Sequence, residues 1–487
     1  MMKNGVKEHD IKRGVTIYSW HRQVEAGVLT WDDCIKAAVK MGCNGIELLG
    51  QLYFRYCPEV LQEDIDSWEA LMWKYGTKMI CHDFFVDMTM YGHRRLTVKE
   101  GVDIIRRHAL FAKKLHCPVI RLGGTALPEI TKAAIPVLEE IGIKMGQELH
   151  NGASSFAMPW TQELLEVIEK SGSEYIGIIP DMSMFTKHIG ERNIKAGIAQ
   201  GVDEGLARDV ADMFEKVSNE DFRAYCTEQM EKASCDAAKN WISMVRRMEY
   251  FEPSILTKLA PYIVHCHGKF YEMDDNNEET TIDYPGIIKA LLDGGYNGYI
   301  SAEYEGAPIN NDTFEPFRRY EKMLDKYLGK YPEANYPEWP DARPVEGGGF
   351  FGPVQQAVEG TLENWYDNGI CVGFSVDVRS FYYRGVPLAL FESAYVKVDG
   401  EVYGPEKMCV KVDGEMFEFK DMCDVTLHYW NKGCPAKLLI KKPGGLSRGE
   451  HEVSAIAEIR AYYMREGFAP NRRGISFAPA VKMTISN

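Results

Sequence analysis

The sequence predicts a (β/α)8 barrel followed by an antiparallel β-sandwich, and three observations support this fold class. Short apolar strands alternate with longer helical segments from Gly14 to about Leu328. The ends of the eight strands are mostly 25 to 41 residues apart, which is the size of one strand–helix unit. After residue 350 the apolar residues recur at every second position between Asp-Gly pairs, a pattern typical of antiparallel hairpins.

Each predicted barrel strand ends at a recognisable residue. In chain order these residues are Trp20, Glu47, His82, Gly123, Glu148, Asp181, His267 and Glu303. Thr30 before the first long helix favours an N-cap, and Gly42 favours its C-terminal stop. The step from Asp181 to His267 is longer than one unit by roughly fifty residues. This excess, about 185–253, predicts a helical insertion over the barrel mouth that serves as a lid or pocket wall, as an oligomer contact, or as both.

Three parts of the chain follow from these patterns. We predict a barrel over 1–328, a linker over 329–349 and a β-sandwich over 350–487. The linker carries four prolines and three consecutive glycines, a composition that disfavours regular structure. Asp399-Gly400 and Asp413-Gly414 each separate two alternating runs and predict tight hairpin turns.

The composition restricts the class of protein. A length of 487 residues requires more than one core, and 45% hydrophobic with 26% charged residues is a globular composition. The formal net charge of −15 disfavours nucleic-acid binding, and no apolar run is long enough to span a membrane. The twelve cysteines form no C-x-x-C pair, and no secretion signal precedes the first strand. We expect a cytoplasmic protein that forms a homo-oligomer and acts on a small molecule.

Strands five to eight all end on a polar side chain, which is unusual for apolar strands. Each of the carboxylates Glu148, Asp181 and Glu303, taken alone, is equally consistent with a helix cap. Because active sites of such barrels gather at the C-terminal ends of the strands, their joint occurrence with His267 predicts convergence on one metal ion. Three carboxylates and one imidazole suit Mn²⁺ first, with Mg²⁺, Co²⁺ or Zn²⁺ as alternatives.

Further candidates lie beside these four positions. His150 follows Glu148 by two residues and is a candidate general base, or a histidine that only bonds within its loop. Lys269 has the same spacing from His267 and either stabilises an oxyanion or pairs with a carboxylate. The predicted contacts to substrate are His82, Arg121, Glu305 and Trp20, although packing in the core is the alternative for Trp20. In the C-terminal region, Tyr383 and Arg384 either reach a pocket or only pack.

A divalent ion beside a general base favours removal of a proton next to a carbonyl group. Isomerisation, epimerisation and β-elimination all begin with this step, and the residues alone do not distinguish them.

The N-terminal 330 residues resemble the xylose-isomerase-like barrels of the sugar isomerase and epimerase superfamily. The resemblance rests on the segments "GIELLG", "QELH", "PDMS", "HCHGK" and "ISAEYEG". The C-terminal region resembles the β subunit of bacterial C-glycoside deglycosidases, through "FSVDVRSFYYRGVPLALFESAYVKVDGE" and "KPGGLSRGEHEV". In this chain the two parts are fused.

The resemblance implies cleavage of the carbon–carbon bond between a sugar and an aromatic aglycone. It implies that a separate sugar 3-oxidase first makes the 3-keto sugar, and that loss of the C2 proton then expels the aglycone. It also implies that Glu148, Asp181, His267 and Glu303 hold Mn²⁺ and that His150 is the base. One alternative is a keto-sugar isomerase or epimerase, and a second is a sugar-binding barrel without catalytic activity.

Overall fold

The structure of the protein, a computed structural model, describes most of the chain. The described residues are 2–3, 6–7, 9–124, 127–152, 154–306, 309–310, 312–329, 339–340, 356–380, 382–460 and 479–486. The predicted linker 329–349 lies outside them, except for residues 329, 339 and 340. None of the helices in these ranges combines the length and the apolar character needed to cross a membrane.

Eight parallel strands form the barrel. They are β1 Lys12–Thr16, β2 Gly45–Leu49, β3 Lys78–Phe85, β4 Val119–Gly123, β5 Lys144–Leu149, β6 Ile176–Pro180, β7 Cys266–Phe270 and β8 Tyr299–Tyr304. Their order in the sheet is β6-β5-β4-β3-β2-β1-β8-β7. Single parallel bridges, Ile178 to Ile263 and Asp181 to His267, join the two ends and nearly close the sheet. Strands such as β6 are apolar throughout because both faces are buried.

Helices surround the strands as the alternating pattern predicts. They are α1 Trp31–Lys40, α2 Gln62–Tyr75, α3 Val98–Lys114, α4 Pro128–Ile141, α5 Pro159–Ser171, α6 Glu191–Ala199, α7 Glu204–Lys216, α8 Asn219–Lys232, α9 Asp236–Val245, α10 Tyr284–Asp293 and α11 Glu315–Leu328. Thr30 caps α1 in a capping box with Asp33. The predicted (β/α)8 barrel is confirmed.

Four of these helices, α6 to α9, lie between β6 and β7. They bury a cluster of their own, which includes Phe214, Phe222 and Trp241. Trp241 donates from Nε1 to the backbone oxygen of Asn193 at 2.8 Å, which joins α9 to α6. The segment therefore has its own packed core and is more than an extended loop.

The C-terminal region consists of antiparallel strands. They are β9 Glu363–Asp367, β10 Ile370–Val378, β11 Val386–Pro387, β12 Phe391–Val398, β13 Glu401–Tyr403, β14 Met408–Val412, β15 Glu415–Glu418, β16 Tyr429–Trp430, β17 Ala436–Lys441, β18 Gly449–Ile459 and β19 Val481–Ile485. One sheet has the order β9-β10-β17-β14-β15 and a second has the order β13-β12-β18-β19. A single apolar core contains residues of both sheets, such as Phe374 and Ala455. The predicted sandwich is confirmed.

Both predicted Asp-Gly hairpins are present. Asp399 and Gly400 join β12 to β13, and Asp413 and Gly414 join β14 to β15. All four residues have positive φ, between 48° and 89°. Asp-Gly is favoured here because a two-residue turn that matches the twist of the strands needs positive φ at both positions.

The chain divides into two compact units that are not contiguous in sequence. The first contains residues 1–48, 65–84 and 108–345, and the second contains 49–64, 85–107 and 346–487. The segments that follow β2 and β3 therefore belong to the same unit as the sandwich.

Within the second unit, Arg384 is fully buried and fixed by groups from these segments. Its Nη2 donates to both carboxylate oxygens of Asp87, at 2.9 and 3.0 Å, and its Nη1 donates to Gln51 Oε1 at 2.9 Å. The guanidinium also lies over the ring of Phe85. These contacts support the packing alternative for Arg384.

We predict that Arg384→Met lowers the free energy of unfolding by about 3–5 kcal/mol, because it leaves the Asp87 carboxylate buried without its cation. Chemical denaturation of the full chain measures this loss. Lys482→Met is the matched control, since Lys482 pairs with Glu450 on the surface and such pairs contribute at most about 1 kcal/mol. Equal losses in the two variants would contradict this assignment.

Candidate active site

Four polar side chains meet at the C-terminal ends of β5 to β8. The candidate ligand atoms of Glu148, Asp181, His267 and Glu303 all lie within 4.8 Å of one another, and all four residues are buried. Nδ1 of His267 is 3.0 Å from Glu148 Oε1, 3.0 Å from Glu303 Oε2 and 3.8 Å from Asp181 Oδ2. We call these four residues the quartet.

Three atoms of the quartet are buried without a hydrogen bond in the described part of the chain: Asp181 Oδ2, His267 Nδ1 and Glu303 Oε2. Lys269 lies 3.0 Å from Glu303 Oε2 as an ion-pair neighbour. Buried polar atoms without hydrogen bonds are costly, and a cation among them removes that cost. One nitrogen and three carboxylates are a donor set that fits a hard or borderline divalent ion.

Asp181 caps a short helical turn with one carboxylate oxygen and faces the quartet with the other. Its Oδ1 accepts a hydrogen bond from the backbone N–H of Ser183 at 2.7 Å and so caps a short helical turn. Its Oδ2 faces the other members of the quartet. The cap therefore fixes the carboxylate without occupying both oxygens.

His267 and Lys269 point to the same side of β7 because residues two apart in a strand share a face. The intervening Gly268 faces α11, where a Cβ would clash with the hydroxyl of Tyr320. Glycine at this position thus lets α11 approach β7 closely, which leaves both functional side chains on the inner face.

Two buried cations balance the carboxylates. Arg121 Nη1 donates to Glu148 Oε2 at 2.6 Å, and its Nε lies 2.9 Å from Asp83 Oδ1. Lys269 Nζ lies 3.0 Å from Glu303 Oε2, 3.2 Å from Glu305 Oε1 and 3.5 Å from Asp181 Oδ2.

Arg121 and Lys269, together with His267, lower the pKa values of two quartet carboxylates. Burial raises the pKa of Glu148, but Arg121 and His267 outweigh it and lower that pKa to about 2. Burial likewise raises the pKa of Glu303, and Lys269 with His267 lowers it to about 2. Both carboxylates are therefore ionised at neutral pH, the form in which they bind metal ions.

His150, the candidate base, is held by its own loop. Its Nδ1 donates to the backbone oxygen of Asn151 at 2.7 Å, and its backbone N–H donates to Ser154 Oγ at 2.9 Å. A ring whose Nδ1 carries the proton leaves Nε2 free to accept one. Burial raises the pKa of Asp181, but Lys269 and then His150 outweigh it and lower that pKa. In the chain, His150 follows Glu148, a member of the quartet, by two residues.

Two predicted substrate contacts, His82 and Trp20, are buried and contact other residues of the protein. His82 is adjacent to Asp83 in β3, so the two side chains point to opposite faces, and Asp83 is the one that meets Arg121. His82 Nε2 lies 2.9 Å from His108 Nδ1 on α3, and burial lowers the pKa of His82 to about 3. Trp20 is fully buried and packs against Phe317 with ring centroids 4.8 Å apart. The contacts of both residues support packing.

The other two predicted contacts lie beside the quartet. Arg121 pairs with the carboxylates of Glu148 and Asp83 and balances their charge, and its contact to substrate stays a prediction. Glu305 is 27% exposed through its side chain and stays a candidate for binding a substrate hydroxyl.

Glu47 in β2 is a further residue of the site, and its sequence position predicted only the end of a strand. Its Oε1 accepts from His267 Nε2 at 2.6 Å and its Oε2 from His265 Nε2 at 3.0 Å. Burial raises the pKa of Glu47, and the two histidines outweigh burial and hold it well below its usual value. The available signal was a carboxylate within the apolar run "GIELL" of β2.

The family is established by comparison with known proteins. Residues 35–326 match the xylose isomerase-like TIM barrel family, and the chain belongs to it. Residues 355–463 match the C-glycoside deglycosidase beta subunit family. The two resemblances seen in the sequence are therefore confirmed.

Curated relatives match both parts of the chain. The 3'-dehydrocarminate deglycosidase alpha subunit of Microbacterium sp. is 24% identical over 340 residues, which cover 65% of this chain and 95% of the relative. The C-glycoside deglycosidase alpha subunit of Arthrobacter globiformis is 27% identical over 320 residues, 63% of this chain and 88% of the relative. The C-glycoside deglycosidase beta subunit of Eubacterium cellulosolvens is 28% identical over 116 residues, 23% of this chain and 79% of the relative. These relatives bear the names of enzymes, which supports an enzyme here.

Proposed function

We propose that this protein is a metal-dependent C-glycoside deglycosidase, a lyase that cleaves the sugar–aryl C–C bond of 3-oxo-C-glycosides. The proposed chemistry rests on the quartet, three of whose buried atoms have no hydrogen bond within the described residues and lie close together. His150, the proposed base, follows its member Glu148 by two residues. The observation that favours deglycosylation over epimerisation is the beta-subunit match at residues 355–463.

The quartet would hold the metal ion, with Mn²⁺ as the first candidate and Mg²⁺, Co²⁺ or Zn²⁺ as alternatives. A divalent ion there supplies positive charge next to the ketone oxygen and lowers the barrier to removing the neighbouring proton. Arg121 and Lys269 keep the quartet carboxylates ionised.

His150 takes the proton from C2 of the sugar through Nε2, while Nδ1 stays bonded to the backbone oxygen of Asn151. The electron pair from the C2–H bond forms a C1–C2 double bond. The bond from C1 to the aryl carbon breaks, and the aryl carbon takes up a proton. The products are an unsaturated keto sugar and the free aglycone, and no net oxidation occurs.

The substrate must already carry the 3-ketone, because the ketone is what acidifies the C2 proton. A separate sugar 3-oxidase would therefore act before this protein. All twelve cysteines are free thiols, which supports a reducing, cytoplasmic setting. The alpha and beta names of the relatives support an assembly in which this chain supplies both parts, and we propose that it forms homo-oligomers.

The test is incubation of the Mn²⁺-loaded protein with a 3-keto-C-glycoside, with the same glycoside before oxidation, and with a free keto sugar. We expect the aglycone from the first and none from the second. An isomerase or epimerase would instead exchange deuterium into the free keto sugar or convert it into a new epimer. It would release no aglycone from the 3-keto-C-glycoside. Neither exchange nor release would indicate a binding protein.

A further inference from the structure

Glu47 links His267 of the quartet to a further buried histidine, His265. The residue is fully buried, and each carboxylate oxygen meets a different imidazole: Oε1 meets His267 and Oε2 meets His265. His265 Nε2 also lies 2.9 Å from Ser301 Oγ. The Glu47 side chain is therefore held from both sides, and it cannot rotate without breaking one of these contacts.

The contact with His267 determines which ring nitrogen faces the quartet. A carboxylate can only accept, so Nε2 of His267 must carry a proton in order to donate to it. Nδ1 faces the three quartet carboxylates, at 3.0 to 3.8 Å, and has no hydrogen bond within the part of the chain that the structure describes. Without Glu47, rotation of the ring about the Cβ–Cγ bond would carry Nδ1 away from the carboxylates.

We propose that Glu47 is the positioning residue of the metal centre, which fixes the ring of His267 so that Nδ1 and not Nε2 binds the ion. This inference rests on the metal centre of the proposed function. Glu47 acts through His267 and His265 and touches neither the ion nor the substrate. A carboxylate that accepts a hydrogen bond from the second ring nitrogen of a metal-bound histidine typically raises metal affinity 10- to 100-fold.

The first test measures Mn²⁺ affinity by electron paramagnetic resonance of the free ion, with full-length wild type and Glu47→Gln. A glutamine offers one acceptor oxygen and one amide donor, so it can satisfy only one of the two imidazoles. We expect about 10- to 100-fold weaker binding for Glu47→Gln. Ser301→Ala is the matched control, because it removes a contact of His265 but leaves the bond between Glu47 and His267. We expect the Mn²⁺ affinity of Ser301→Ala to stay within about twofold of the wild-type affinity, a much smaller change than we expect for Glu47→Gln.

The outcomes separate this inference from the proposed function. A wild type that binds no Mn²⁺ would overturn the metal centre itself. A wild type that binds Mn²⁺ with a Glu47→Gln variant of equal affinity would overturn only the role of Glu47.

A second measurement needs no variant and covers the case in which Glu47→Gln does not fold. Wild type loaded with ¹¹³Cd²⁺ and labelled with ¹⁵N-histidine reports which ring nitrogen is coupled to the metal. We expect coupling to Nδ1 of His267, with a protonated Nε2. Coupling to Nε2 would overturn the proposal.

Discussion

His150→Ala should reduce aglycone release by about 10²- to 10⁴-fold, the usual contribution of a general base, while Mn²⁺ stays bound. The variant removes the nitrogen that we propose takes the C2 proton, but it removes no member of the quartet. Single-turnover release of the aglycone measures the chemical step, and metal analysis of the same sample measures occupancy.

The matched control is His116→Ala. His116 lies before β4, at the opposite end of the strands from the quartet, and its side chain is 85% exposed. We expect this variant to retain the wild-type rate. Full activity of His150→Ala would mean that another group is the base, whereas loss of Mn²⁺ from it would mean that His150 helps to hold the ion.

Asp181→Asn should abolish both Mn²⁺ binding and turnover without unfolding the protein. An asparagine carbonyl can still accept from the N–H of Ser183 and preserve the cap, but its amide group replaces the charged oxygen that faces His267. We expect a loss of affinity beyond the 10- to 100-fold typical of groups that do not touch the metal.

Thermal unfolding with and without Mn²⁺ provides an independent measure. A metal present at 100 times its Kd stabilises the wild type by about 2.7 kcal/mol, and we expect no such gain in Asp181→Asn. Asp212→Asn, an exposed residue on α7, is the control and should show the full gain. A full gain in Asp181→Asn would exclude Asp181 as a ligand.

The sequence was sufficient to predict the fold and the residues of the quartet. Both depend on local patterns, namely the spacing of apolar strands and the polar residue at which each strand ends. In parallel strands these ends lie together, so Glu148, Asp181, His267 and Glu303 could be grouped without knowledge of any contact.

The sequence alone does not decide which of two neighbouring polar residues points to the inner face of a strand. His82 and Asp83 are both polar and lie in the C-terminal half of β3, and only the orientation of the strand in the barrel decides that Asp83 points toward Arg121. Trp20 follows β1 and is a predicted substrate contact, and the rings that bury it include Phe314, just before α11, and Phe317, within α11. Such contacts between distant parts of the chain leave no local signal.

Contacts between residues far apart in the sequence could not be predicted. Glu47 meets His267 and His265 about 220 residues later, and Arg384 meets Asp87 almost 300 residues earlier. The predicted parts of the chain are consecutive in sequence, whereas in the structure residues 49–64 and 85–107 belong to the same compact unit as the sandwich.

The most direct test of the metal centre is anomalous diffraction at the manganese absorption edge from crystals of the Mn²⁺-loaded protein. We predict one strong peak within coordination distance of His267 Nδ1 and of carboxylate oxygens from Glu148, Asp181 and Glu303. A manganese peak elsewhere in the molecule, with none among these four side chains, would contradict the proposed centre and the chemistry that depends on it.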